Sequence, residues 1–137
     1  MPAIFKKTAL FLSLILLPFS AFAEEAPAHI EGATTINVDE AYALFENNVV
    51  FVDVRKQSDF ESGRIPGAIH LDVKSAFTPE NLAKAVQPSD PVVIYCNGFS
   101  CLRSSEATAK AVAWGYTNVK YLREGFPSWD EAGFPVE

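Results

Sequence analysis

The sequence predicts an α/β domain built on a mainly parallel sheet. Strand-like and helix-like stretches alternate from about residue 35 to the C-terminus. Two stretches, 49–54 (VVFVDV) and 91–96 (PVVIYC), are apolar on both faces but for Asp53, as strands at the centre of a doubly covered sheet must be. With 137 residues the chain has room for one core of ordinary size.

The elements follow in order. Residues 1–23 carry the zones of a secretory leader: Lys6 and Lys7, an apolar run over 8–19, and the small-x-small site Ala21-Phe22-Ala23. The run is well below the ~20 residues that span a bilayer, and no cysteine near the cleavage site offers a lipid anchor. The expectation is a soluble, exported chain beginning at Glu24, led by an acidic, Ala/Pro-rich mobile arm over 24–34. A first strand over 35–38 precedes a helix capped by Asp39 that runs to Glu46, with Ala41, Leu44 and Phe45 buried. The central strand 49–54 leads to one helical turn over 57–62 that Gly63 ends. Ile65-Pro66-Gly67 then forces a turn before a short strand over 68–71. Pro79 opens a helix to about Val86, and Pro88 and Pro91 bracket the next loop. After the strand 91–96, a loop over 97–101 enters a long Ala-rich helix, 102–114, which Gly115 ends. A last strand over 119–122 and a closing turn and short helix over 125–132 around Trp129 complete the domain.

Loss of Lys6 and Lys7 with the leader takes the net charge from −6 to −8. Such a surface repels nucleic acid and anionic lipid, so neither is expected as a partner, and no membrane association is expected after cleavage. An anionic substrate must then be held locally, by backbone N–H groups.

The chemistry is expected where the strand VVIYC ends, because ligands of open α/β sheets bind beyond the carboxyl ends of the strands. Cys96 stands there, followed by Asn97-Gly98-Phe99-Ser100-Cys101 and a helix start. Loop N–H groups and the positive end of the helix would stabilise a thiolate, making Cys96 a candidate nucleophile. Gly98 gives the loop backbone angles that other residues avoid. Two alternatives stand beside this: Cys96 as a small buried hydrophobe, and Cys96–Cys101 as a local disulfide without catalytic role. Asp53 is costly in an apolar strand unless hydrogen-bonded, so it is expected to fix nearby backbone or Arg55. His70, in the turn segment, is assigned to scaffold rather than to general base, and His29 in the arm to no role. Two distant histidines and one cysteine pair make no metal site, and no cofactor is expected. Trp114, Trp129, Phe126 and Phe134 are assigned to the core and its lid.

Asp53-Val54-Arg55 after a strand, GRIPGAIHL over 63–71, VVIYC with its loop, and EGFPSWDEAGFPV over 124–136 together resemble the single-domain rhodanese sulfurtransferases. The resemblance covers the chain from about Thr35 and implies a doubly wound fold with a five-stranded parallel sheet. It also implies a cysteine that takes sulfane sulfur from a donor such as thiosulfate, becomes a persulfide, and passes the sulfur to cyanide or a thiol. Two positions depart from the pattern. Arg64 stands where the family often has His, in a structural turn. Cys101 stands five residues after Cys96, where a typical loop has an Arg that grips the anionic donor. Arg103 lies two residues on, placed either to reach back or to point to solvent. CNGFSC resembles a subgroup with paired loop cysteines.

The leading expectation is therefore a periplasmic sulfurtransferase. Cys96 is its nucleophile, Cys101 the candidate resolving thiol, and Asn97, Gly98, Phe99, Ser100, Leu102 and Arg103 its substrate-binding residues, with Asp53 and Arg55 in support. Its partners would be a small sulfur donor and a thiol acceptor, which includes a protein thiol. A dithiol redox protein and a non-catalytic binding module are the alternatives. A cysteine-loop phosphatase is set aside, because its phosphate-gripping Arg would fall at Leu102.

Overall fold

Five strands form one sheet in the order β1-β5-β4-β2-β3, every neighbouring pair parallel. They are β1 Ala33–Thr35, β2 Val50–Asp53, β3 Ile69–His70, β4 Val92–Tyr95 and β5 Val119–Leu122. The helices are α1 Val38–Glu46, α2 Gln57–Ser62, α3 Pro79–Ala85, α4 Arg103–Ala113 and α5 Gly125–Glu131. This computed structural model describes residues 24–137 and the isolated positions 3, 4, 13, 15 and 16; apart from those, the expected leader 1–23 lies outside the described residues. Among the described residues no helix is long and apolar enough to cross a membrane.

The period-two geometry of β4 sorts its side chains into two cores. Val92, Ile94 and Cys96 join Val52, Val54, Leu82, Ala107 and Ala111 on the α3/α4 side. Val93 and Tyr95 join Phe51, Ile65, Leu122 and Trp129 on the α1/α5 side. All four residues of β4 are buried, which is why the strand reads as a continuous apolar run. The same alternation sends the Cys96 side chain toward α4, so the helix that follows the loop packs on the same side as its sulfur.

Three expectations at the N-terminal end differ from the structure. The first strand lies at Ala33–Thr35, and Asn37 rather than Asp39 caps α1. The extended backbone of Asn37 lets its Oδ1 accept the Glu40 N–H at 2.8 Å while Glu40 Oε1 faces the Asn37 N–H at 3.4 Å. A capping box beats a lone Asp, and Asp39 falls inside the first turn. The segment expected as a free arm is docked: Ala26 is buried, the Tyr121 hydroxyl donates to the Pro27 carbonyl at 3.0 Å, and Thr35 Oγ1 donates to the Ala28 carbonyl at 2.7 Å. Its acidic, Ala/Pro-rich composition hid this, because the contacts run through backbone carbonyls. Elsewhere the expected elements stand within a residue or two of their observed ends.

Candidate active site

Cys96 ends β4 with no exposed surface, and its sulfur is bonded to that of Cys101, the two Cα atoms 6.4 Å apart. Cys101 is only partly buried and packs against the edge of the core, so it is the more exposed residue of the pair. The intervening loop turns at Gly98, whose φ of 108° is open to glycine, as the sequence predicts. Its one internal backbone bond runs from the Cys101 N–H to the Gly98 carbonyl at 3.0 Å. The N–H groups of Asn97, Gly98, Phe99 and Ser100 find no protein acceptor among the described residues. They lie in the short loop between Cys96 and the N-terminal end of the 11-residue α4, donors free to meet an anion.

Gly125 carries a role that the sequence reading missed. It sits at φ 69°, and a Cβ there would lie 2.5 Å from both the Cys96 carbonyl oxygen and the Gly98 nitrogen. Only a glycine lets the β5–α5 turn pass so close beneath the loop, and the Phe126 N–H then donates to the Cys96 carbonyl at 2.8 Å.

Asp53 and Arg55 form the buried brace expected of them. The carboxylate accepts from Arg55 Nε at 3.1 Å and Nη2 at 2.7 Å, and Arg55 Nη2 also donates to the Gly63 carbonyl at 2.6 Å. Arg55 Nη1 reaches Asn97 Oδ1 at 3.3 Å, and Asn97 Nδ2 donates to Asp59 Oδ2 at 2.8 Å. The Asn97 side chain is thus spent on bracing, which leaves its backbone N–H for a ligand. The guanidinium also lies 4.6 Å from the centre of the Phe126 ring. Tyr95, beneath, is pushed far above the ordinary phenol range by burial first and by the Asp53 charge second, so it stays a neutral hydroxyl, accepting the Ile65 N–H at 3.2 Å.

Of the two poses open to Arg103, neither is found. Its Nη1 donates to Asp72 Oδ1 at 2.8 Å and lies 3.4 Å from the Val54 carbonyl, so the guanidinium ties α4 to the segment after β3. Arg103, expected among the substrate-binding residues, is engaged by a carboxylate and acts in this structure as a tether. His70 places Nε2 2.7 Å from the Arg55 carbonyl and stacks on Phe60, a scaffold role. Trp129 is fully buried, Phe134 stacks on Tyr42, and Trp114 stacks on Phe77.

The other side of the loop is held by residues outside the sequence expectation. The Ala26 N–H donates to the Phe99 carbonyl at 2.6 Å. Arg123 Nε and Nη2 donate to the Ala26 carbonyl at 2.9 and 2.6 Å, and the guanidinium lies 4.9 Å from the Phe99 ring centre. Arg123 follows β5 at the same carboxyl end of the sheet at which Cys96 follows β4, and that position was the signal available for it. A cleft of about 350 Å³ opens beside these residues, lined by His29, Asn37, Glu40, Phe99, Arg123 and Glu124.

The rhodanese-like domain family matches residues 37–132. The chain is 36% identical over 99 residues to a thiosulfate sulfurtransferase GlpE of Pseudomonas savastanoi, covering 72% of this chain and 88% of that one. It is also 36% identical over 89 residues to an HTH-type transcriptional regulator, Rv0324, of Mycobacterium tuberculosis, covering 65% of this chain but only 38% of the regulator. Among solved structures, the human single-domain sulfurtransferase TSTD1 superposes with a TM-score of 0.62 at 24% identity, over 71% of this chain and 95% of that one.

Proposed function

The chain belongs to the family of rhodanese-like domains, and we propose that it is a periplasmic sulfurtransferase working through a persulfide on Cys96. One observation carries the reading: a buried strand-end cysteine followed by a loop whose four N–H groups, at residues 97–100, have no protein acceptor among the described residues. In the reduced protein the Cys96 thiolate attacks the outer sulfur of a donor, thiosulfate or a persulfide. The S–S bond of the donor breaks, sulfite or a thiolate leaves, and the loop N–H groups hold the anionic persulfide. An acceptor thiolate, of a small molecule or a protein, or cyanide then takes the terminal sulfur and returns Cys96 as thiolate. Phe99 and Leu102, both exposed, give that acceptor an apolar rim beside the loop. Cys101 supplies a second exit: the dithiol closes to the Cys96–Cys101 disulfide and releases the sulfur as sulfide.

The test is mass spectrometry of the reduced protein after incubation with thiosulfate or glutathione persulfide. One added sulfur on Cys96 is expected, and none in Cys96→Ser, whose circular dichroism should match wild type because serine fills the same place as a far poorer nucleophile. Sulfur transfer retained by Cys96→Ser would remove that residue from the mechanism. Export is checked by N-terminal sequencing of protein from the envelope fraction, where Glu24 is the expected first residue and an intact Met1 in cytoplasm contradicts the reading. The Cys96–Cys101 disulfide favours a second reading, a thiol–disulfide oxidoreductase. Exchange with dithiol substrates, without any sulfur gain, would support it.

A further inference from the structure

The two sulfurs of the disulfide differ in a way that fixes how it can be opened. Cys96 has no exposed surface, whereas Cys101 is partly exposed, in a loop whose Phe99 and neighbouring Leu102 are also exposed. Thiol–disulfide exchange is an in-line displacement, so the attacked sulfur must be reachable and the leaving sulfur is best the one whose thiolate is more stable. Both conditions select the same direction here. The nucleophile meets Cys101, and Cys96 leaves as a thiolate beside a loop whose N–H groups at 97–100 are unused and which leads into the N-terminal end of α4.

The arginines around the loop narrow the choice of nucleophile. Arg55 is committed to Asp53, Arg103 to Asp72, and Arg123 to the Ala26 carbonyl with Glu25 3.7 Å away. None is left to grip a dianion such as thiosulfate, and Cys101 occupies the position at which the family resemblance expects such an arginine. The remaining surface is acidic. A small donor that is partly uncharged at neutral pH suits this site better than a dianion.

We propose that the oxidised protein makes sulfane sulfur from sulfide itself, with Cys101 as the sulfur that sulfide attacks. Hydrosulfide forms a bond to Cys101 Sγ, the Cys96–Cys101 bond breaks, and Cys96 leaves as thiolate. Sulfide is oxidised to the sulfane level and the disulfide is the two-electron oxidant. Cys96 thiolate then attacks the outer sulfur of the Cys101 persulfide, which moves the sulfur to Cys96 and leaves Cys101 as thiolate. Proximity within one short loop favours this second step. Each loading consumes one disulfide, and a dithiol-oxidising protein of the exported compartment must restore it before the next. The same steps run backward are the sulfide-releasing exit. The inference rests on the persulfide reading above and supplies its donor.

The experiment starts from fully oxidised protein, to which sodium sulfide is added in equimolar amount without oxygen, followed by alkylation and peptide mass spectrometry. One sulfane sulfur per chain is expected on the peptide that holds Cys96 and Cys101. Pre-reduced wild type and Cys101→Ser, which have no disulfide, should gain none. With glutathione in place of sulfide, the adduct is expected on Cys101 with Cys96 free to be alkylated. A disulfide that survives sulfide, equal uptake by pre-reduced protein, or a glutathione adduct on Cys96 would each overturn the proposal. Reduced protein loaded by glutathione persulfide separates the two readings. Loading there while oxidised protein ignores sulfide rejects only this inference, and the converse pattern rejects only persulfide transfer from sulfane donors.

Discussion

The two flanks of the Cys96 loop are held by different physics. On the Asn97 side, Arg55 is 3% exposed, its partner Asp53 is fully buried, and the guanidinium binds a carboxylate, a carbonyl and a carboxamide together. On the Phe99 side, the loop is held by one backbone bond from Ala26 and by a guanidinium at the edge of solvent. A buried ion pair punishes the loss of one partner severely, whereas a strap of backbone bonds at the surface yields by degrees. The first flank makes the loop part of the fold. The second makes its outer half, where Cys101 lies, adjustable.

Arg55→Met is the change with the largest expected effect. It leaves the Asp53 carboxylate in an apolar strand without its cation, which costs about 3–5 kcal/mol, a large share of the stability of one domain. Urea denaturation monitored by circular dichroism measures it. A cost below about 1 kcal/mol would show that the two flanks do not differ as described.

Arg123→Gln tests the other flank and should cost about 1 kcal/mol. The Ala26 carbonyl loses its charged donors and the Phe99 ring its cation, yet no buried charge is left behind. Faster amide exchange at Ala26 is the expected local sign, with sulfur transfer lowered a few-fold rather than abolished. Loss of stability as large as that of Arg55→Met would erase the contrast.

The contrast also explains what was legible in the sequence. Asp53 stands out in VVFVDV because a carboxylate in an apolar run demands a partner, and Arg55 two residues on supplies it. Cys96 is legible from its place at the end of a strand apolar on both faces. The strap was not, since Ala26 and Pro27 act through backbone groups and residue type says nothing of them. Gly125 has a similar history: the sequence marks it as the start of a closing turn, but not as the residue that makes room for the Cys96 carbonyl. The pairing of Arg103 was not legible because Asp72 is 31 residues away, in a segment with no regular structure, and only the tertiary fold brings them together.

Asp72 and Arg103 give the smallest effect and the one with a pH signature. Burial, the largest single influence on Asp72, pushes its carboxyl up, but the Lys74 N–H at 2.9 Å and the Arg103 guanidinium at 2.8 Å together outweigh it and hold the group below the ordinary 3.8. A carboxylate whose pKa is lower in the folded state stabilises that state fully above its unfolded value, and the contribution fades as pH falls through the folded value. Both side chains are about one-fifth exposed, at 19% and 22%, so solvent screens the pair and its worth at neutral pH is about 1 kcal/mol at most. Asp72→Asn should therefore be slightly less stable than wild type at neutral pH, with the gap closing below pH 3.8 as the wild-type carboxyl takes up its proton. Paired urea titrations of the two proteins across that range measure it. A gap that persists in acid would mean that Asp72 acts through its shape and neutral hydrogen bonds, and that the tether between α4 and the segment after β3 needs no charge.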